Sequence, residues 1–140
     1  MGLQFTSALP AIDSYWKLYE CTGWNDDYRL SPQAVAAALA GSWYAVSAYD
    51  GERLVGFGRV LTDGVMHSMI YDLIVAPDFQ GHGIGTSILD MLVQKCRNAG
   101  IYDIQLFCAR GKRAFYEKRG FVSRPEEAPG MEFQPAGDPA

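Results

Sequence analysis

Between Ala76 and Asp90 the chain reads APDFQGHGIGTSILD, in which Gly81, Gly83 and Gly85 alternate with other residues just ahead of a helical pattern. Glycines in a turn that opens a helix let a large anion reach N–H groups left unpaired by the first helical turn, where the helix also carries partial positive charge. That is phosphate-binding chemistry. Upstream, Asp72 stands inside the apolar run MIYDLIVAP, where a carboxylate is costly unless satisfied and desolvation would make it a better proton acceptor. Downstream, Arg110, Lys112, Arg113, Lys118 and Arg119 form a basic cluster. Such a cluster could hold an anion, though a solvated helix face is the commoner use of one. Cys21, Cys96 and Cys108 are widely spaced, with no CxxC and no metal-ligand pattern, and read as reduced, mostly buried thiols.

These residues need elements to position them. The stretch PAIDSYWKLYECTG carries Ile12, Tyr15, Trp16 and Tyr19 at helical spacing, and SPQAVAAALAG has Ser31 as N-cap, Pro32 at the first helical position and Gly41 as the stop. Two helices are therefore expected before the sheet, joined by GWNDDYRL as a connecting loop. SWYAVSAYDGERLVGFGRVLTDG reads as a hairpin turning at Asp50-Gly51. A strand over MHSMIYDLIVAP ends at Pro77, and a helix from about Ile84 to Asn98 places Ile88, Leu92 and Cys96 on one stripe. IYDIQLFC reads as a further strand and GKRAFYEKRG as a short helix closed by Gly120, followed by the apolar pieces FV and GMEFQ. Strands and helices in this order indicate an α/β domain with a mixed sheet. It is expected to span residues 1–135, with 136–140 a loose tail.

At 140 residues, 49% hydrophobic and 20% charged, the chain suits one folded domain. A net charge of −4 argues against a general nucleic-acid binder. The apolar stretches are too short to span a membrane, and the first residues lack a basic segment followed by an apolar one. A cytoplasmic location is the expectation.

Three phosphate-binding patterns compete for the glycine turn. A P-loop needs lysine before Ser or Thr, whereas Gly85 is followed directly by Thr86 and Ser87. A dinucleotide fingerprint needs a third glycine where Thr86 stands. The Gln/Arg-x-x-Gly-x-Gly/Ala pattern, met by Gln80, Gly83 and Gly85, fits, and with FYEKRGF it resembles the two motifs of the GCN5-related N-acetyltransferases (GNAT). Within that superfamily LYECTGW, the segment from LVGFGRV to the glycine turn, and FYEKRGFVSRPEEAPGMEF look most like the plant and cyanobacterial serotonin N-acetyltransferases and their bacterial relatives.

The resemblance implies an α/β GNAT fold. Its mixed, mostly antiparallel sheet would have six to seven strands, four flanking helices and a splay between the fourth and fifth strands. It implies acetyl-coenzyme A as donor, held by the backbone of Leu73, Ile74 and Val75 along pantetheine and by Gln80, Gly81, His82, Gly83, Ile84, Gly85 and Thr86 around the pyrophosphate, with Arg110, Lys112 and Arg113 nearby. Many members carry Asn where this chain has Ala109, which removes one side-chain contact to pantetheine but no backbone contact.

Acetyl transfer to an amine also needs a proton acceptor and an acid for the departing thiolate. The relatives have Asp at the position of Asp72, and Tyr116 matches the tyrosine of the second motif, the family's general acid. His67 and the pair Asp26 and Asp27 are lesser candidates for the base. Strand parity sets His67 and Asp72 on opposite faces unless a bulge intervenes, as it commonly does in this family. Trp24, Asp26, Asp27 and Tyr28 of the loop, with His67, Met69, Tyr71 and Phe107, would line an acceptor site suited to an arylalkylamine or a polyamine. Alternatives are a protein-lysine or aminoglycoside acetyltransferase and a non-catalytic acyl-coenzyme A module; a second copy of the chain is a candidate partner.

Overall fold

The computed structural model describes residues 2–135; the expected tail at 136–140 lies outside them. Contacts group the chain into two compact units that divide after Phe107. In the first unit the order is β1 (Leu3–Thr6), α1 (Ile12–Glu20), α2 (Asn25–Tyr28), α3 (Pro32–Ala40), β2 (Tyr44–Asp50), β3 (Arg53–Thr62), β4 (His67–Val75), a 3-10 turn (Pro77–Phe79), α4 (Ile84–Asn98) and β5 (Asp103–Leu106). The strands form one sheet in sequence order, antiparallel except for the parallel pair β4–β5.

The hairpin β2–β3 turns at Gly51, whose φ of 61° is the left-handed value that favours glycine. Helix α3 begins as the sequence requires: Ser31 Oγ accepts from the Ala34 N–H at 3.1 Å and Pro32 follows. Helix α4 lays Ile84, Ile88, Leu89, Leu92 and Cys96 against the sheet, all buried, and each such aliphatic side chain contributes about 1.5–3 kcal/mol. Tyr15 and Phe57 meet edge-on at 5.0 Å where α1 packs on β3. Since Gly56 and Gly58 face Ile84 and Ile88 of α4, strand alternation puts α1 on the opposite face.

Four expectations are corrected. The described residues hold five strands rather than six to seven, because FV and GMEFQ form no strand. They hold five α-helices rather than four, since one helical turn forms inside GWNDDYRL and ends at Arg29 in a left-handed conformation (φ 54°). The sheet also begins before the helices, because Leu3–Thr6 pairs with Asp50–Ser47. Only Cys96 of the three thiols is buried.

The second unit, from Cys108 on, contains α5 (Arg113–Glu117). Tyr116 packs edge-on between Phe115 at 5.1 Å and Phe121 at 5.9 Å, and Gly120 closes the segment with φ 95°.

Candidate active site

In the first unit the site is built on β4. Its ladder with β3 pairs Arg59 with Tyr71 and Phe57 with Ile74, so Asp72 and Leu73 together oppose Gly58. One extra residue in the strand is a β-bulge, and Asp72 takes it up with φ 57°, a conformation that Asp tolerates better than most residues. The bulge resets side-chain parity. Ser68, near Cys96 of α4, and Ile70 lie on the α4 face, while Met69 and Tyr71 lie on the α1 face. The extra residue brings Asp72 onto the α1 face as well, where its Oδ2 accepts from Arg59 Nε at 2.7 Å. The carboxylate therefore meets a guanidinium rather than a purely apolar setting.

Tyr15 and Tyr19 of α1 complete this cluster. Burial pushes the Tyr15 phenol well above its ordinary range, and the negative charge of Asp72 pushes it further. Tyr19 is raised by burial first, then by Asp72 and Tyr28. Tyr19 thus feels the charge of Asp72 and of Tyr28 at the end of α2. In the α2 loop Trp24 is half-buried, Asp26, Asp27 and Tyr28 are exposed, and Asn25 clamps Leu30 through both its backbone groups.

His67 shares the α1 face by parity but stands at the opposite end of β4. There Nδ1 bonds Asp103, which raises the imidazole pKa, the charges of Asp103 and Asp63 adding to the effect. It is not brought to Asp72. Phe107, at the end of the first unit, is exposed.

Strand β5 pairs with β4 only from His67 to Ile70. The β5-side edge of Tyr71–Val75 therefore continues past the end of its neighbour, where an extended ligand can pair with backbone as an added strand would. This edge includes Leu73, Ile74 and Val75.

The chain beyond β4 is tied down by side chains. Arg53 binds Asp78 through two 2.8 Å bonds, Gln80 Nε2 donates to Val75 O at 3.0 Å, and the His82 ring bonds Phe79 O at 3.1 Å. Gly81 and Gly83 have φ of 81° and 80°, with open space where a Cβ would stand. Among the described residues the N–H groups of Gly81, His82 and Gly83 donate to nothing, and the first helical bond of α4 runs from Ser87 N to Gly83 O. Ile84, Gly85 and Thr86 thus add the unpaired N–H groups of a helix start. The result is a rigid turn that presents backbone donors, suited to pyrophosphate.

In the second unit burial raises the Tyr116 phenol, with a lesser push from Cys108. It stays protonated at neutral pH and is a weaker acid than free tyrosine. Arg110, Lys112 and Arg113 are exposed, and Arg113 faces Glu117 at 3.4 Å along α5.

Sequence reasoning missed Arg59, Tyr15 and Tyr19 as parts of the site. A signal was present for Arg59: one arginine in the strand GFGRV, one hairpin away from one aspartate in MIYDLIV.

Comparison with known proteins gives the family. The chain is 39% identical over 83 residues to an uncharacterized N-acetyltransferase, ycf52, of Pyropia yezoensis, covering 59% of this chain and 48% of that protein. It is 35% identical over 81 residues to the chloroplastic serotonin N-acetyltransferase 2 of Oryza sativa subsp. japonica, covering 58% and 40%. It spans about half the length of the curated relatives it matches. A probable acetyltransferase of Staphylococcus aureus superposes with a TM-score of 0.80 at 25% identity over 94% of this chain and 98% of that one. The model of the acetyltransferase (GNAT) family matches residues 9–121, and the chain accordingly belongs to that family of enzymes, which take their acetyl group from acetyl-coenzyme A.

Proposed function

We propose that the protein is an acetyl-coenzyme A-dependent N-acetyltransferase of a small primary amine, working by direct attack in a ternary complex. The glycine turn carries this reading: six consecutive N–H groups, Gly81 to Thr86, lie outside the backbone ladder in a turn held by its own side chains. They take the pyrophosphate, and the edge of Leu73–Val75 takes pantetheine. Arg110, Lys112 and Arg113 add charge near the cofactor. The family match crosses the boundary between the two units, which supports one acetyltransferase domain over 1–135.

Chemistry then needs three proton transfers. An alkylammonium has a pKa of about 10, judged by lysine, so Asp72 accepts its proton, directly or through water. The neutral nitrogen attacks the thioester carbonyl, and the tetrahedral adduct collapses with loss of the thiolate. Tyr116 gives that thiolate its proton, and the proton that the adduct nitrogen sheds as the amide forms returns to the phenolate, directly or through water.

The acceptor is an arylalkylamine such as serotonin or tryptamine, or a polyamine. Trp24 and Tyr28 beside Asp26 and Asp27, with Met69 and Tyr71 on the Asp72 face, support an apolar cationic amine. His67 and Phe107 stand at the margin of this set. Location in the cytoplasm is part of the same proposal, although the rice relative is named chloroplastic; no helix of the described residues is long and apolar enough to cross a membrane.

Thiol release from acetyl-coenzyme A across a panel of arylalkylamines, polyamines, aminoglycosides and lysine peptides tests the proposal. Turnover concentrated on the arylalkylamines or polyamines is expected. No thiol release with any amine, alongside intact acetyl-coenzyme A binding, would leave an acyl-coenzyme A module instead.

A further inference from the structure

We infer that Arg59 is the positioning residue of Asp72, locking one carboxylate oxygen so that the other faces the incoming amine; this rests on the assignment of Asp72 as the base. Asp72 sits alone on a bulge, and a short side chain on an irregular backbone needs an external partner to fix its rotamer. Arg59 Nε donates to Oδ2 at 2.7 Å. The same guanidinium donates through Nη1 to Ala38 O at 3.1 Å and to Ser42 Oγ at 3.4 Å. Those partners lie at the C-terminal end of α3, where carbonyls and the helix dipole attract a cation.

The guanidinium is thus gripped on two sides and cannot swing away from the carboxylate. Among the described residues Oδ1 receives no hydrogen bond, which leaves it available to a substrate proton. Tyr15, Tyr19 and Arg59 are the charged or titratable groups that interact with the carboxylate from α1 and β3.

Stability alone does not account for the pair. With side chains 13% and 22% exposed, both partners are largely desolvated, and replacing such pairs by apolar side chains is often neutral or stabilising. Positioning does account for it, because a misplacement of about 1 Å in a catalytic group costs roughly 100-fold in rate.

The test compares Arg59→Met, Arg59→Lys, Asp72→Asn and the double variant Arg59→Met/Asp72→Asn. For each, kcat and KM are measured with an amine found in the panel, and acetyl-coenzyme A affinity by calorimetry. Arg59→Met is expected to lose roughly 10- to 100-fold in kcat, with acetyl-coenzyme A affinity within about twofold of the parent. Arg59→Lys should recover only part of the loss, since an ammonium lacks the fork that reaches Asp72 and Ala38 together. Added guanidinium ion should raise the rate of Arg59→Met but not of the parent. On the Asp72→Asn background Arg59→Met should change kcat by less than about twofold, as expected when both residues act through one interaction.

An unchanged kcat in Arg59→Met, or an equal loss on both backgrounds, overturns the positioning role. If Arg59→Met fails to bind acetyl-coenzyme A, Arg59→Lys decides, and a parental kcat there overturns the role too. Parental activity in Asp72→Asn removes the base itself, a separate failure recognisable without any Arg59 variant.

Discussion

Replacing Gly83 by alanine probes the glycine turn with one methyl group. Gly83 has φ 80°, and an added Cβ would meet nothing within 4 Å, so no internal clash enters. The folded protein loses only the cost of a left-handed alanine, about 1–2 kcal/mol, or a fall in Tm of roughly 3–8 °C for a domain of this size. Binding has a second cost, because the methyl occupies the space through which phosphate oxygens reach the N–H groups of the turn. Losing one charge-assisted hydrogen bond of about 1.5–3 kcal/mol weakens acetyl-coenzyme A roughly 10- to 150-fold. Gly51→Ala is the control for strain, since Gly51 is also left-handed and open but turns the β2–β3 hairpin. Calorimetric titration with acetyl-coenzyme A, and with acetylpantetheine, which lacks the pyrophosphate, separates the effects. Gly83→Ala should weaken the first ligand and spare the second, and Gly51→Ala should spare both. Equal weakening of both ligands, or parental affinity in folded Gly83→Ala, would refute the phosphate assignment.

Tyr116→Phe keeps the ring between Phe115 and Phe121 and removes only the hydroxyl, so kcat should fall while acetyl-coenzyme A affinity holds, and a thioester with a more acidic thiol should regain more rate than in the parent; parental rates with every thioester would make the tyrosine structural. The His67–Asp103 pair raises the imidazole pKa in the folded state, so its stabilisation is complete below the unfolded value of about 6.5 and is lost as pH rises through the higher folded value. Thermal melts from pH 6 to 8.5 should therefore decline in the parent more than in His67→Gln, and parallel slopes would count against the pair. Gly58→Ala would place a Cβ 2.9 Å from Ile88 Cγ2 and Leu92 Cδ1, forcing α4 off the sheet at about 1–3 kcal/mol; an unchanged urea midpoint would contradict the close packing.

Elements with strong local signals were legible in the sequence. The Asp50-Gly51 hairpin and α4, bounded by Gly83 and Asn98, form where turn chemistry and a 3.6-residue stripe place them. Strand β1 was not: four residues, LQFT, alternate too briefly to be distinguished from a loop, and only pairing with β2 makes them a strand. Helix α2 is a single turn held by the Asn25–Leu30 bonds, below the length at which periodicity speaks. The FV and GMEFQ pieces carry apolar residues without an alternating partner, and composition alone does not make a ladder. Within the site, the glycine turn was readable because its chemistry is backbone chemistry. The Arg59–Asp72 pair was not, because it depends on a bulge that only the register of β3 against β4 defines.

That bulge has a consequence for how the chain tolerates change in length. Upstream of it the α1 face is read by odd positions, His67, Met69 and Tyr71; downstream it is read by even ones, beginning with Ile74 opposite Phe57. Deleting one residue at 72–73 would leave β4 long enough to span the sheet and would not disturb its turn. Tyr71 and Ile74 would keep their places opposite Arg59 and Phe57, and the single residue left opposite Gly58 would face α4: a regularised ladder has no room for both a carboxylate beside Arg59 and a branched aliphatic against α4. Losing Asp72 would therefore remove the base and spare the core, whereas losing Leu73 would turn the carboxylate away from Arg59 and into the α4 face.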